Sequence, residues 1–225
     1  MTFVIAHRGA SWDEPENTLP AFERAIAVGA DFVEFDVQAT SDGALVVFHD
    51  LDLDRLTPLT GPLRHRPLGE LREVGIPTLQ EVLDLTAGRI GVMAELKSPR
   101  LYRRHDIVTR TVSLLPRDAV VISFSKPALL EARRTRSELR RLQHVGFGTS
   151  IAAAARYAWG VGFHEPRVTS RGLAKARELG LVTTVYTVNG PERMRELEAL
   201  GVDGLFSDRP DRALQSLAQH RRRSG

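Results

Sequence analysis

TFVIAHRGASWDEPENTLPAFERAIAVGADFVEFD, residues 2–36, carries two short β-forming runs on either side of an amphipathic stretch. The runs at 3–7 and 32–36 suit strands, and the stretch near 18–29 has helical spacing. Strand, crossover helix and strand make a parallel unit. The alternation recurs. Further strands are expected at 91–96, 119–124, 140–145, 160–163, 182–187 and 203–207. Further helices are expected near 78–88, 102–115, 126–137, 150–157, 170–180, 190–200 and 211–219. Eight such units in 225 residues suit a closed (β/α)8 TIM-type barrel of the α/β class better than an open doubly wound sheet. The apolar pattern is thinnest around 140–170. No linker divides the chain, so 1–225 reads as a single barrel domain. Residues 51–77, LDLDRLTPLTGPLRHRPLGELREVGIP, have no clear period and read as a loop insertion over one end. Residues 220–225 read as a flexible tail.

The bulk numbers narrow the function. The chain has no cysteine, which excludes disulfides and Cys-ligated metal centres. No signal-like segment opens the sequence and no long apolar run interrupts it, so a cytoplasmic location without stable membrane association is expected. The formal charge is +3, with the basic residues in local runs such as Arg133, Arg134 and Arg136. Solvated helix faces account for these runs. No nucleic-acid motif accompanies them, so no nucleic-acid partner is expected. A modest positive field suits a small anionic phosphate substrate.

In a parallel barrel the C-terminal strand ends open on one face, where the active site lies. The first strand ends in His7 and Arg8. The second carries Glu34 and Asp36, and the third carries Glu95 and Lys97. The seventh ends near Tyr186 and Asn189, the last near Asp208. Side chains two apart on a strand share a face. If both acidic pairs face inward, three carboxylates converge on the mouth. That is a hard-oxygen site for one divalent cation, Mg²⁺, Ca²⁺ or Mn²⁺. The alternative is that each carboxylate pairs with an arginine or lysine.

A second histidine arrives by hairpin. After Asp36 the chain runs VQATSDGALVVFHD, and Asp42-Gly43 suits a two-residue turn. With Ser41 opposite Ala44, His49 falls opposite Asp36. A β-hairpin over 36–49 would thus return an acid/base group to the carboxylates. His65, His105, His144 and His164 lack such a setting and read as structural or surface residues. Phe124 and Tyr186, at the ends of the fourth and seventh strands, could form a small apolar wall.

The ordered set His7-Arg8, Glu34-x-Asp36 and His49-Asp50 resembles the signature of the glycerophosphodiester phosphodiesterase family. The likeness extends through HRGASWDEPENTLPAF, GADFVEFDVQATSDGALVVFHD, IPTLQEVL, AELK, VYTVN and GVDGLFSDRPD, with a gap around 100–170. The resemblance implies a barrel fold, a divalent cation, and cleavage of glycerophosphodiesters to sn-glycerol 3-phosphate and an alcohol. It implies Glu34, Asp36 and Glu95 as metal ligands and His7 and His49 as the catalytic pair. It implies Arg8 and Lys97 as phosphate contacts, and Glu16 and Asn17 as part of an ENT motif close to the substrate. Asp50 is expected to orient its neighbour. Two positions depart from the family pattern: Tyr186 stands where tryptophan is frequent, and Ser207 where threonine is frequent.

These residue types suggest a mechanism. Arg8, Lys97 and the cation would offset charge on the phosphoryl group, with His49 as base and His7 as acid. Residue types alone do not order attack by water against attack by the glycerol 2-hydroxyl. Two rival readings are a phospholipase D-like lyase on lysolipids or sphingolipids and a non-catalytic phosphodiester-binding barrel. The leucines of 51–77 are interspersed with charges and offer no continuous greasy face. Small diesters such as glycerophosphocholine are therefore expected over acylated lysolipids.

Overall fold

The structure is a computed structural model that describes residues 2–146 and 149–224, with side chains as far as 219. The tail expected at 220–225 lies outside the described residues, apart from the helical backbone up to Ser224. Eight parallel strands form the barrel: β1 (Phe3–His7), β2 (Phe32–Ala39), β4 (Gly91–Leu96), β5 (Val120–Ser123), β6 (Arg140–Val145), β7 (Gly160–His164), β8 (Val182–Tyr186) and β9 (Gly204–Ser207). β1 pairs with both β2 and β9, which closes the ring. β3 (Leu45–Val47) runs antiparallel to the upper end of β2. Crossovers are made by α1 (Leu19–Ala27), α3 (Leu79–Thr86), α4 (Ile107–Leu114), α5 (Lys126–Thr135), α6 (Ile151–Ala154), α7 (Ser170–Glu178) and α8 (Pro191–Ala199), and α9 (Pro210–Ser224) follows the last strand.

Local chemistry starts the helices where the sequence suggests. Thr18 caps α1, its hydroxyl accepting from the Ala21 amide, with Pro20 in the first turn. Thr78 and Glu81 form a reciprocal capping box on α3. Two expected helices are shorter than their patterns. The stretch 102–115 splits into a 3-10 segment (Pro99–His105) and α4, because Asp106 takes a left-handed φ of 45°. The 150–157 pattern yields only the single turn of α6.

The strands divide their side chains by parity. Val4, Val33, Phe35, Val92, Ala94 and Val121 point outward and pack with Phe22, Leu83 and Leu129 of the helices. Ile5, Met93, Val120, Ile122, Leu142 and Phe206 fill the interior as an apolar plug. The next inward positions above the plug are His7, Glu95, Phe124, His144 and Asp208. One alternation therefore seals the barrel below and aims its polar groups at the mouth.

The hairpin register differs from expectation by one residue. Val37 pairs with Val47, and the Thr40 amide donates to the Ala44 carbonyl at 3.0 Å. The loop thus has three residues, Ser41 to Gly43, with Gly43 at φ 84° as the left-handed closing residue. The Thr40 hydroxyl favours this turn, bonding the Asp42 carboxylate and accepting from the Ala44 amide. Phe48, not His49, stands opposite Asp36 and donates to its carbonyl at 2.9 Å.

The 51–77 insertion is not a bare loop. It holds a 3-10 turn (Leu63–His65) and α2 (Leu68–Glu73). Leu53, Leu63, Leu71 and Ile76 bury with Val46 and Phe48 of the hairpin in a small core of their own. The leucines look scattered in sequence because the cap is short and irregular, with no period to align them. Among the described residues no helix is long and apolar enough to cross a membrane.

Candidate active site

Glu34, Asp36 and Glu95 meet at the mouth, buried, each offering a carboxylate oxygen within 4.8 Å of the others. Neighbouring groups hold them in place. The Arg8 amide donates to Glu34 Oε2 at 3.0 Å, and Asn17 Nδ2 donates to Asp36 Oδ2 at 2.9 Å. Lys97 Nζ lies 3.3 Å from Asp36 Oδ1 and 3.4 Å from Glu95 Oε1. Arg8 Nε lies 3.4 Å from Asp36 Oδ2.

Both readings offered for the carboxylates therefore hold in part: the fixed cations are present, but only two of them face three acids. Burial would raise Asp36, yet Lys97 and Arg8 hold it below the usual carboxylate range. Burial, with Asp36 beside it, pushes Glu95 up to about 7, and burial with both neighbours pushes Glu34 well above its ordinary value. Three hard oxygens with too little positive charge among them fit a divalent cation, which would let all three ionise.

His7 and His49 line the same cavity of 390 Å³ as Arg8, Glu34, Glu95 and Lys97. His7 Nδ1 meets Asp208 Oδ1 at 2.7 Å. Asp208 is itself fixed by Ser11 at 3.2 Å and by Asn189 Nδ2 at 2.7 Å. His49 Nδ1 meets Asp50 Oδ1 at 2.6 Å. In each pair the carboxylate selects the tautomer with the proton on Nδ1 and leaves Nε2 for chemistry. Burial holds His49 below the ordinary imidazole value, although Asp36 pulls it up. Burial would raise Asp208, but its bonds from His7, Asn189 and Ser11 hold it low.

His49 does not reach the cavity by alternation. Continued strand geometry would give it the outward parity of Leu45 and Val47. The backbone instead leaves the ladder and bends at His49. Gln38 Nε2 stabilises the bend, donating to the carbonyls of Phe48 and Asp50 at 2.7 Å each. Tyr102 donates its hydroxyl to Gln38 Oε1 and fixes the amide.

Glu16 and Asn17 bond to other side chains of the site. Glu16 pairs with Arg8 and Arg55, and Asn17 grips Asp36. Phe124, 51 % exposed, and Tyr186 form an edge-to-face pair 6.0 Å apart on the cavity wall. The sequence reading passed over Asp208 as a partner for His7 and set His144 and His164 aside. Both of these histidines line the cavity. His144 is buried among Phe124, Tyr186 and Phe206, 3.8 Å from Glu95 Oε2, and burial drives it down to about 3, so it is neutral. The available signal was parity. His144 lies two residues beyond the inward Leu142, opposite Gly162, where a Cβ would come within 2.3 Å of its ring. A further groove of 790 Å³ opens beside Glu95 and Lys97, walled by Pro99, Leu101, Phe124 and Pro127.

Known proteins agree with this architecture. The family model described as glycerophosphoryl diester phosphodiesterase matches residues 7–212. A glycerophosphodiester phosphodiesterase from Bacillus altitudinis is 33 % identical over 96 % of this chain and 98 % of its own. The Bacillus subtilis enzyme of the same description is 30 % identical over 92 % of this chain and 84 % of its own. Among solved structures, an Oleispira antarctica phosphodiesterase in complex with the product sn-glycerol-3-phosphate superposes with a TM-score of 0.88 at 28 % identity, covering 97 % of each chain. A closed parallel barrel with a buried acidic triad able to bind a metal, matched along nearly its whole length, belongs to the glycerophosphoryl diester phosphodiesterase family.

Proposed function

We propose that this chain hydrolyses glycerophosphodiesters to sn-glycerol 3-phosphate and an alcohol. The observation that carries the reading is that two carboxylate-oriented imidazoles share one cavity with Glu34 and Glu95 of the acidic triad. Glu34, Asp36 and Glu95 would hold the divalent cation, which when bound supplies positive charge to the non-bridging oxygens. Arg8 and Lys97 would add to that charge, since both line the cavity. His49, whose burial disfavours the charged imidazolium, is the base and takes the proton of the nucleophile. That nucleophile is either water directly or the glycerol 2-hydroxyl, after which water opens the cyclic phosphate to glycerol 3-phosphate. His7 is the acid. Asp208 orients its ring so that Nε2 can give a proton to the leaving alkoxide. Phe124 and Tyr186 would lie against the glycerol carbons.

The product named for the Oleispira antarctica relative supports the same outcome here. The test is glycerol 3-phosphate release from glycerophosphocholine, glycerophosphoethanolamine and glycerophosphoglycerol, with and without EDTA. Release that stops with chelator is expected. No release from any of the three overturns the reading.

One observation favours a second reading. The groove beside Lys97 has an apolar wall that the sequence did not reveal, and it could seat an acyl chain. A higher kcat/KM for lysophosphatidylcholine than for glycerophosphocholine, with a cyclic phosphate product, would move the assignment to a phospholipase D-like lyase.

A further inference from the structure

Each histidine has an orienting carboxylate with one oxygen on the imidazole. An aspartate fixed by that bond alone can still rotate and take the ring with it. On the His7 side, Asp208 is locked because Asn189 donates to its other oxygen. On the His49 side, among the described residues, the cap and not a barrel strand supplies the second bond. The other oxygen of Asp50 accepts from Nε of Arg55 at 2.6 Å. The same guanidinium forks onto Glu16, Nη1 to Oε2 at 2.9 Å and Nη2 to Oε1 at 2.8 Å. Glu16 Oε1 also accepts from Arg8 Nη1 at 2.8 Å. One side chain of the cap therefore ties the orienter of His49 to the partner of Arg8.

Isolated surface ion pairs stabilise a fold little, and Arg55 is half exposed. Its geometry is not that of an isolated pair. It uses all three nitrogens in a planar fork that lysine cannot reproduce. The turn that presents it is fixed by Leu53, which is fully buried in the cap core, and by the bonds from Leu53 to Gly61 and from Thr57 to Leu53.

We propose that Arg55 is a positioning residue: it locks Asp50, and through it the ring of His49, while bracing Arg8 through Glu16. The cap thus completes the site. This rests on the hydrolase reading above, in which His49 moves a proton. Arg55 touches no reacting atom, so its loss should lower kcat more than it raises KM.

The test uses the full-length enzyme with Mg²⁺ and glycerophosphoethanolamine. Arg55→Gln should lower kcat about 10- to 100-fold, the range for losing a group that orients a catalytic one. Arg55→Lys should fall between this variant and wild type. In an Asp50→Asn background the loss from Arg55→Gln should shrink, because the path to His49 is already cut. Nitrogen NMR of the His49 ring should show the proton on Nδ1 in wild type and a mixture of tautomers in Arg55→Gln. Unchanged kcat, strictly additive losses or an unchanged tautomer would each overturn the proposal. If wild type turns over no diester, the hydrolase reading falls, and the NMR measurement still decides the positioning.

Discussion

His7 and His49 face one cavity from opposite kinds of structure. His7 ends β1, at the next inward position after Ile5, and leans on Asp208 at the end of β9. Asp208 is held in turn by Ser11 and Asn189, from the loops that follow β1 and β8. His49 lies past the end of β3, on a bend, and leans on Asp50 and the cap. The difference teaches that a barrel supplies one imidazole of the proposed acid/base pair by periodicity alone. The other needs a second small core and a set of polar ties.

The largest effects test whether the two sides are equal in chemistry. His7→Ala and His49→Ala should each lower kcat by at least ~100-fold, as loss of a general acid or base does. Circular dichroism should show both variants folded. Near-normal turnover in one of them would leave a single working histidine and end the comparison.

Next come the orienting carboxylates. Asp208→Asn should cost about 10- to 100-fold in kcat, the usual range for such partners. Gln38→Leu should cost a similar amount, because it releases the bend at His49 rather than the ring. Equal kcat in wild type and Gln38→Leu would show that the bend holds itself.

The two regions should also differ in stability. Leu63→Ala empties a fully buried site in the cap and should cost ~2–5 kcal/mol, the usual range for this truncation. Much of that loss should be local. Hydrogen exchange should quicken at Leu53 and Leu63 while the β5 amides keep their protection, and kcat should fall with the drift of His49. The same truncation at Leu129, in the helix layer, should instead lower the melting temperature of the whole barrel. Uniform loss of protection in Leu63→Ala would merge the two regions into one unit.

The smallest expected effect concerns the triad that both histidines flank. The carboxyl of Glu95 is raised from 4.5 to about 7 in the folded state. A raised pKa adds stability that is full below the unfolded value and lost as pH rises through the folded one. Burial of Glu95 therefore lowers the metal-free melting temperature from about pH 4.5 to above pH 7, whereas burial of the neutral His144 raises it over much of the same span. The Glu95 contribution is read against Glu95→Gln: metal-free wild type should lose stability relative to that variant as pH rises. Excess Mg²⁺ should remove that trend, since the cation replaces the proton. A difference between metal-free wild type and Glu95→Gln that stays flat over this span would remove the charge strain from the triad.

Much of this was legible in the residues. Glu34 and Asp36, and likewise Glu95 and Lys97, share a face by a period of two that no tertiary contact can alter. The eight strand–helix alternations set the class, and the amphipathic pattern near 78–88 marked a helix that the structure starts at the Thr78–Glu81 capping box. His144 and His164 escaped because their strands show little apolar rhythm on the inward face: β6 offers Leu142 alone below His144, and β7 offers Gly160 and Gly162 below His164. The cap core escaped for a related reason: Leu53, Leu63 and Leu71 meet only after the chain has turned on itself, and no fixed spacing announces it.

The hairpin marks the boundary between the two kinds of information. Asp42-Gly43 determined that the chain would reverse and bring a histidine back toward the carboxylates. The choice between a two-residue and a three-residue turn rested on the Thr40 hydroxyl bonding across the loop. That choice shifts the register by one residue, and strict alternation would then have turned His49 away from the mouth. Gln38, Tyr102, Asp50 and Arg55 turn it back, from positions that are up to 64 residues apart in sequence. Periodicity is a property of neighbours along the chain, so sequence alone determined the barrel, its inward face and the acidic triad. The direction of His49 depends on bonds between distant segments, and only the folded structure decided it.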